Sequence, residues 1–148
     1  MLTQLQLERF LREVDRDFPV PLSQKQDLSA FAQKLLEKAT LCEISRDGEI
    51  QSLVAGYTEN LTAGKAYISL VATLAKARGN GFAPKLIRQF LQICREKQIP
   101  AVHLYTVAAN TSAVKMYRKL GFEAYLMNDE PRPEDAHLII YLNKENKE

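Results

Sequence analysis

The chain has 148 residues, 46% apolar and 26% charged, with 20 Lys and Arg against 18 Asp and Glu for a formal charge of only +2. That length suffices for one compact domain with its own core, and the composition excludes a disordered or fibrous chain. So small a net charge leaves no electrostatic footprint for nucleic acid, and no apolar run approaches the roughly 20 residues needed to span a bilayer.

The first 20 residues carry Glu8, Arg9, Arg12, Glu13, Asp15 and Arg16 where a secretory signal would be apolar, so a cytoplasmic protein is expected. Leu7, Phe10, Leu11 and Val14 recur at helical spacing behind Thr3, which is suited to cap a first amphipathic helix. Phe18-Pro19-Val20-Pro21-Leu22 then interrupts regular structure. Ser23 is predicted to cap a second helix whose apolar face reads Leu28, Phe31, Leu35 and Ala39.

Residues 41–45 and 50–58 flank Asp47-Gly48, a strong hairpin signal, and residues 59–64 read as a second turn. An antiparallel meander is expected. Cys42 and Cys94 lie among apolar neighbours with no base beside them in sequence, which predicts buried reduced thiols rather than a nucleophile or a disulfide framework.

A third strand, with Ile68, Leu70, Val71 and Thr73, gives way to Arg78-Gly79-Asn80-Gly81-Phe82-Ala83 and a helix led by Pro84. A strand, glycine loop and helix start of this kind favours an anion, because the first helical turn leaves backbone N–H donors unpaired at the positive end of the dipole. Pro84 is harmless there, since a first-turn N–H has no helical partner. A Walker loop is excluded because no GxxxxGK[ST] string occurs. A dinucleotide fingerprint fits poorly, with Pro84 in place of its third small residue and Ile99-Pro100 where an acidic ribose ligand belongs about 20 residues on.

Ala83, Leu86, Ile87, Phe90, Leu91 and Cys94 form a wide apolar stripe that ends near Lys97, and Pro100 forbids its continuation. Residues 102–107 then return as a strand, a crossover expected to be right-handed. Asn110 precedes a further helix with Ala113, Met116, Tyr117 and Leu120 on its apolar face and Gly121 at its stop. Residues 122–127 and 137–142 read as a closing strand pair, and 143–148 as a polar tail. The loop 128–135 is either a solvated connection or an acidic lip whose four carboxylates attract an ammonium group.

Arg78, Gly81 and Ala83 match the pattern RxxGxA, and Asn110, Ala113, Tyr117, Gly121 and Phe122 match NxxAxxxYxxxGF, in that order and each on its expected element. The region from Lys65 to Tyr125 resembles the GNAT superfamily of acyl-CoA-dependent acyltransferases. The resemblance implies an α/β (α+β) GNAT fold over residues 1–148 as one domain, with a mixed central sheet of about six strands and helices on both faces. That pattern usually begins with a short strand. Only Met1 and Leu2 precede the first helix here, so that strand is expected to be missing.

The implied cosubstrate is acetyl-CoA, with no metal. The backbone of Val71, Ala72 and Thr73 would bind its pantetheine arm like an added strand, and the amides of Gly79, Asn80, Gly81, Phe82 and Ala83 would hold its pyrophosphate. Arg78 is either a phosphate ligand or a solvated arginine, and Asn110 a pantetheine contact, a helix cap or both. Tyr117 would be the acid that protonates the departing thiolate, since a phenol near pKa 10 stays protonated where a thiol near 8.5 does not.

The base is left open. Many members of the superfamily carry a glutamate on the loop strand or the next, but YISLVAT and HLYTV hold no carboxylate, and Tyr105 stands where one is often seen. Glu59, an ordered water or His103 are the alternatives. Deprotonating a lysine-like amine at pH 7 costs about 4.6 kcal/mol, against about 1 kcal/mol for an α-amine, so an acceptor of low pKa such as an amino sugar or α-amine is expected. The function implied is N-acetyl transfer from acetyl-CoA to a primary amine of a small molecule or peptide by direct attack; the alternative is a non-catalytic acyl-CoA-binding sensor. No nucleic-acid or membrane partner is expected, and a homodimer is admissible.

Overall fold

The computed structural model describes residues 2–142, so the expected tail over 143–148 lies outside the described residues. Helix α1 (Gln4–Val14) opens on a capping box in which Thr3 and Gln6 satisfy each other's backbone N–H groups, and it buries Leu7, Phe10, Leu11 and Val14 as its periodicity predicts. Among the described residues no strand precedes it.

The predicted second helix is split. A short α2 (Leu22–Lys25) ends at Gln26, and Asp27, not Ser23, caps α3 (Leu28–Lys38) by accepting from the Ala30 N–H at 2.9 Å. Ser23 gives its own N–H and hydroxyl to Asp15, at 2.8 and 2.6 Å, so Asp15 supplies the capping oxygen from the turn before. The sequence reading missed this because Ser and Asp are both good caps, and only tertiary placement decides which is used.

Strands β1 (Thr40–Arg46) and β2 (Glu49–Thr62) meet at the Asp47-Gly48 turn, a two-residue loop that only antiparallel neighbours can share. β2 runs four residues beyond its predicted end, so the second turn is confined to Ala63-Gly64 before β3 (Lys65–Thr73). Helix α4 (Phe82–Glu96) leads to β4 (Ala101–Val107), and α5 (Thr111–Lys119) is followed by β5 (Glu123–Ala124) and β6 (Asp135–Tyr141). The six strands form one mixed sheet in the order β1-β2-β3-β4-β6-β5. The predicted closing strand over 122–127 is thus only two residues long, and β6 enters between it and β4.

The chain clusters into two compact units: the described residues up to Ala55 with Leu70–Ile87, and Gly56–Ser69 with those from Arg88 onward. In the first, Leu7, Leu11, Leu35, Ile50, Leu53 and Leu70 anchor an apolar core built from α1, α3 and the sheet. In the second, β3 pairs parallel with β4 from Lys65↔Ala101 to Ile68↔Leu104, and β4 pairs antiparallel with β6 over its whole length. Phe90, Leu104, Leu138 and Ile139 are buried there. Gly56 is fixed by the same packing, because a Cβ at this position would lie 2.5 Å from the Phe90 ring and 2.7 Å from the Tyr67 carbonyl oxygen. Cys42 and Cys94 are buried and form no disulfide, and burial pushes the Cys42 thiol up to about 11.

Candidate active site

In the first unit, β3 ends at Thr73 and a single 3₁₀ turn (Ala75–Ala77) leads into the glycine loop. Ser52 bridges the strand end, its hydroxyl 3.3 Å from the Ala72 carbonyl oxygen and 2.8 Å from the Thr73 hydroxyl. Gly79 and Gly81 have φ of +84° and +74°, the left-handed region that disfavours side chains, and a Cβ at either would meet nothing within 4 Å. The first bond of α4 runs from the Lys85 N–H to the Gly81 carbonyl at 3.3 Å, so the Phe82 and Ala83 amides lie in the unpaired first turn. Pro84, which has no N–H to leave unpaired, sits in that turn without conflict.

Neither reading of Arg78 describes it fully. Its guanidinium is paired with Asp17 at 2.7 Å while Nε donates to the Thr73 carbonyl at 3.3 Å, so the side chain ties the strand end to the turn after α1. The Asn80 side chain donates to the Ala77 carbonyl at 2.9 Å and closes the loop from within.

In the second unit, a cavity of about 460 Å³ opens on the face of β2, β3, β4 and β6 that carries Tyr57, Tyr67, His103, Tyr105 and His137, with Glu59 and Tyr125 on its rim. The register places Tyr67 opposite His103, and Tyr105 opposite His137. Alternation along each strand therefore brings all four side chains to one face. The Tyr105 and His137 rings stack with centroids 3.9 Å apart.

Glu130, from the β5–β6 connection, reaches into this cluster. It accepts from the Tyr105 hydroxyl at 2.7 Å, from the Arg132 N–H at 2.9 Å, and lies 2.6 Å from His137 Nδ1. Burial opposes its ionisation, but those three donors together outweigh burial and hold the carboxyl down at about 2. Burial and the bond to Glu130 both push the Tyr105 phenol well above its usual range. His137 Nε2 in turn lies 2.8 Å from His103 Nδ1. Burial first, and the neighbouring His137 next, lower His103 to about 4.

The acidic lip is thus half neutralised: Glu130 is turned inward, and Asp135 is paired with Arg132 at 2.6 Å. Glu59, a candidate base, is bound to Lys97 at 2.6 Å, a hydrogen bond that lowers its acidity range. His103 lines the cavity with Tyr105.

Tyr117 is the one buried residue of α5; Ala113, Met116 and Leu120 are half-buried on the same stripe. Its ring packs edge-on against Phe122, and burial raises the phenol to about 12. Asn110 caps the helix, its side-chain oxygen accepting from the Ala113 N–H at 3.2 Å, which leaves its amide N–H₂ for other partners.

Sequence reasoning missed His137, Glu130 and Tyr67. The available signal was that the chain has two histidines and both fall on strands. Their meeting depends on β6 lying beside β4, which no local pattern announces.

In chain order, a strand end and a glycine loop lead into a helix, and that helix leads to a strand that carries polar aromatics. The family model for the Acetyltransferase (GNAT) family matches residues 7–122, and the chain belongs to that family. It is an acetyl-CoA-dependent N-acetyltransferase. It is similar to N-alpha-acetyltransferase 50 of Danio rerio, with 26% identity over 131 residues, 82% of this chain and 74% of the relative. Its fold is similar to that of a GNAT-family acetyltransferase from Staphylococcus aureus, with a TM-score of 0.74 at 16% identity over 94% of this chain and 92% of the other. It also resembles Arabidopsis thaliana Naa50, solved with the bisubstrate analogue CoA-Ac-MVNAL, with a TM-score of 0.69 at 23% identity over 93% of both chains.

Proposed function

We propose that the chain acts as a single GNAT domain that acetylates the free α-amine of a peptide by direct attack on acetyl-CoA. The observation that carries this reading is that the carboxylates of Glu59, on the cavity lining, and Glu130, behind it, are already paired and held in their ionised form. Carboxylates so weakly basic cannot deprotonate a lysine-like ammonium, whereas an α-amine near pKa 7.8 needs little help. The name of the Danio rerio relative supports the same acceptor.

In this reading the backbone edge of Val71, Ala72 and Thr73 binds the pantetheine arm like an added strand. The amides of Gly79, Asn80, Gly81, Phe82 and Ala83 hold the pyrophosphate, and Arg78 shapes that loop by bracing it. The Asn110 amide contacts the pantetheine arm while its oxygen caps α5. Tyr117, protonated throughout the working pH range, gives its proton to the CoA thiolate. Among the described residues no group of three or more His, Cys, Asp and Glu side chains is placed to hold a metal ion.

Among the described residues no helix is long and apolar enough to cross a membrane. We place the enzyme in the cytoplasm, working without membrane or nucleic-acid partners, as a monomer or homodimer. The test offers acetyl-CoA with two peptides, one with a free α-amine and no lysine, the other N-terminally blocked with one lysine. Acetylation of the first at a rate at least tenfold above the second supports the reading; equal rates overturn it.

A further inference from the structure

Two histidines, a carboxylate and a phenol in the second unit form one continuous hydrogen-bonded chain that the reaction as derived above does not use. Starting at His103 it runs His103 Nδ1 to His137 Nε2 at 2.8 Å, His137 Nδ1 to Glu130 Oε1 at 2.6 Å, and Glu130 Oε2 to the Tyr105 hydroxyl at 2.7 Å. We propose that His103 Nε2 is the general base that takes the proton from the acceptor ammonium, with His137 and Glu130 as positioning residues that fix its tautomer and receive the charge.

The tautomers follow from donor and acceptor bookkeeping. An ionised carboxylate only accepts, so His137 Nδ1 carries a proton. In neutral His137 the other nitrogen, Nε2, is then an acceptor, and its partner His103 Nδ1 must donate. That leaves the lone pair of a neutral His103 on Nε2, which has no partner among the described residues, in a ring that lines the cavity. The three groups bond to one another in series and do not converge on a shared point, which is the geometry of a relay and not of a metal site.

His103 is itself a weak base, but the relay removes the need for it to keep the proton. As Nε2 takes a proton from R–NH₃⁺, the Nδ1 proton passes to His137 Nε2. The positive charge then rests on His137, against the Glu130 carboxylate. The neutral amine attacks the acetyl carbonyl, the C–N bond forms and the C–S bond breaks. The second amine proton, lost as the amide forms, balances the one taken by the thiolate. The proton on His137 returns to solvent through His103 as product leaves.

The other charged or titratable groups facing His103 are Lys65 and Tyr67 from β3, Tyr57 and Glu59 from β2, and Tyr125 from the connection before β6. Lys65 opposes protonation of the ring and Glu130 favours it. None of these groups stands between His103 and His137.

This inference rests on the α-amine reading, and its test has two arms. In protein labelled with ¹⁵N-histidine, long-range proton–nitrogen correlations report both rings without reference to activity, and His137→Gln tells them apart. Near neutral pH, His103 is expected protonated on Nδ1 and bare on Nε2; the opposite tautomer overturns the relay. In the kinetic arm, His103→Gln is expected to lower kcat/KM for an α-amine peptide by about sixfold at pH 7, the ratio of ammonium to free amine for a pKa of about 7.8, with acetyl-CoA affinity unchanged. The deficit should shrink as pH rises past about 7.8, where the amine arrives deprotonated by itself. Glu130→Gln should show a smaller loss with the same pH dependence. A wild-type rate in His103→Gln, or a loss of equal size at every pH, overturns the assignment. Correct tautomers in a wild type that leaves α-amines untouched would overturn the acceptor reading instead.

Discussion

Arg78 is held 2.7 Å from the Asp17 carboxylate, and through Nε it also grips the Thr73 carbonyl at 3.3 Å. The RxxGxA arginine is therefore a strut that joins the strand end to the turn after α1. Both side chains are about half exposed, so the pair is worth at most about 1 kcal/mol. Asp17→Asn separates the two roles an arginine can play here. If Arg78 acts as a strut, the variant weakens acetyl-CoA binding by up to about fivefold. If Arg78 is a phosphate ligand restrained by Asp17, affinity rises, and calorimetric titration gives the sign.

Gly81→Val should harm cofactor binding far more than Asn80→Ala. At φ +74° a β-branched residue is strained by about 1–2 kcal/mol, and its bulk would fill the open space over the loop. Asn80→Ala removes one partly buried hydrogen bond to Ala77, worth about 1 kcal/mol. Acetyl-CoA affinity is expected to fall by more than about tenfold in the first variant and by less than that in the second. The reverse ranking would remove the loop from the binding site.

Glu130 links the relay to acid stability. Its carboxyl is held at about 2, below the ordinary 4.5, so its stabilising contribution is complete above about pH 4.5 and is lost as pH falls through 2. Glu130→Gln should flatten the fall in stability between those values. Thermal melts across that range check it, and an unchanged acid limb would mean that the carboxylate is not tied to Tyr105 and His137 as described.

Gly56→Ala should destabilise the fold by about 1–3 kcal/mol, because its methyl group must displace either the Phe90 ring or the Tyr67 carbonyl. Denaturant unfolding measures the loss. Stability equal to wild type would show that β2 and α4 have slack which the packing does not display.

The legible parts of this chain were those set by neighbours in sequence. Thr3 capped α1, Asp47-Gly48 turned the hairpin, and the glycine loop passed into α4, which begins at Phe82, two residues before the Pro84 expected to lead it. The exchange of Ser23 for Asp27 as a cap shows where local rules tie and packing decides. The histidine relay was not legible, because His103 and His137 are 34 residues apart and meet only through the β4–β6 pairing. Glu130 was read as part of an acidic surface. Its inward turn is imposed by Tyr105, His137 and the Arg132 amide, partners that no spacing rule connects.

The most direct test of the account is acetyl-CoA turnover by wild type and Tyr117→Phe, measured side by side as thiol release with a peptide bearing a free α-amine. Burial pushes the phenol up to about 12, so it remains an acid across the whole assay range, and its stability contribution is lost only as pH rises from about 10 through 12. The account predicts that the variant keeps acetyl-CoA affinity and loses roughly 10²-fold in turnover. Turnover equal to wild type in Tyr117→Phe would contradict it.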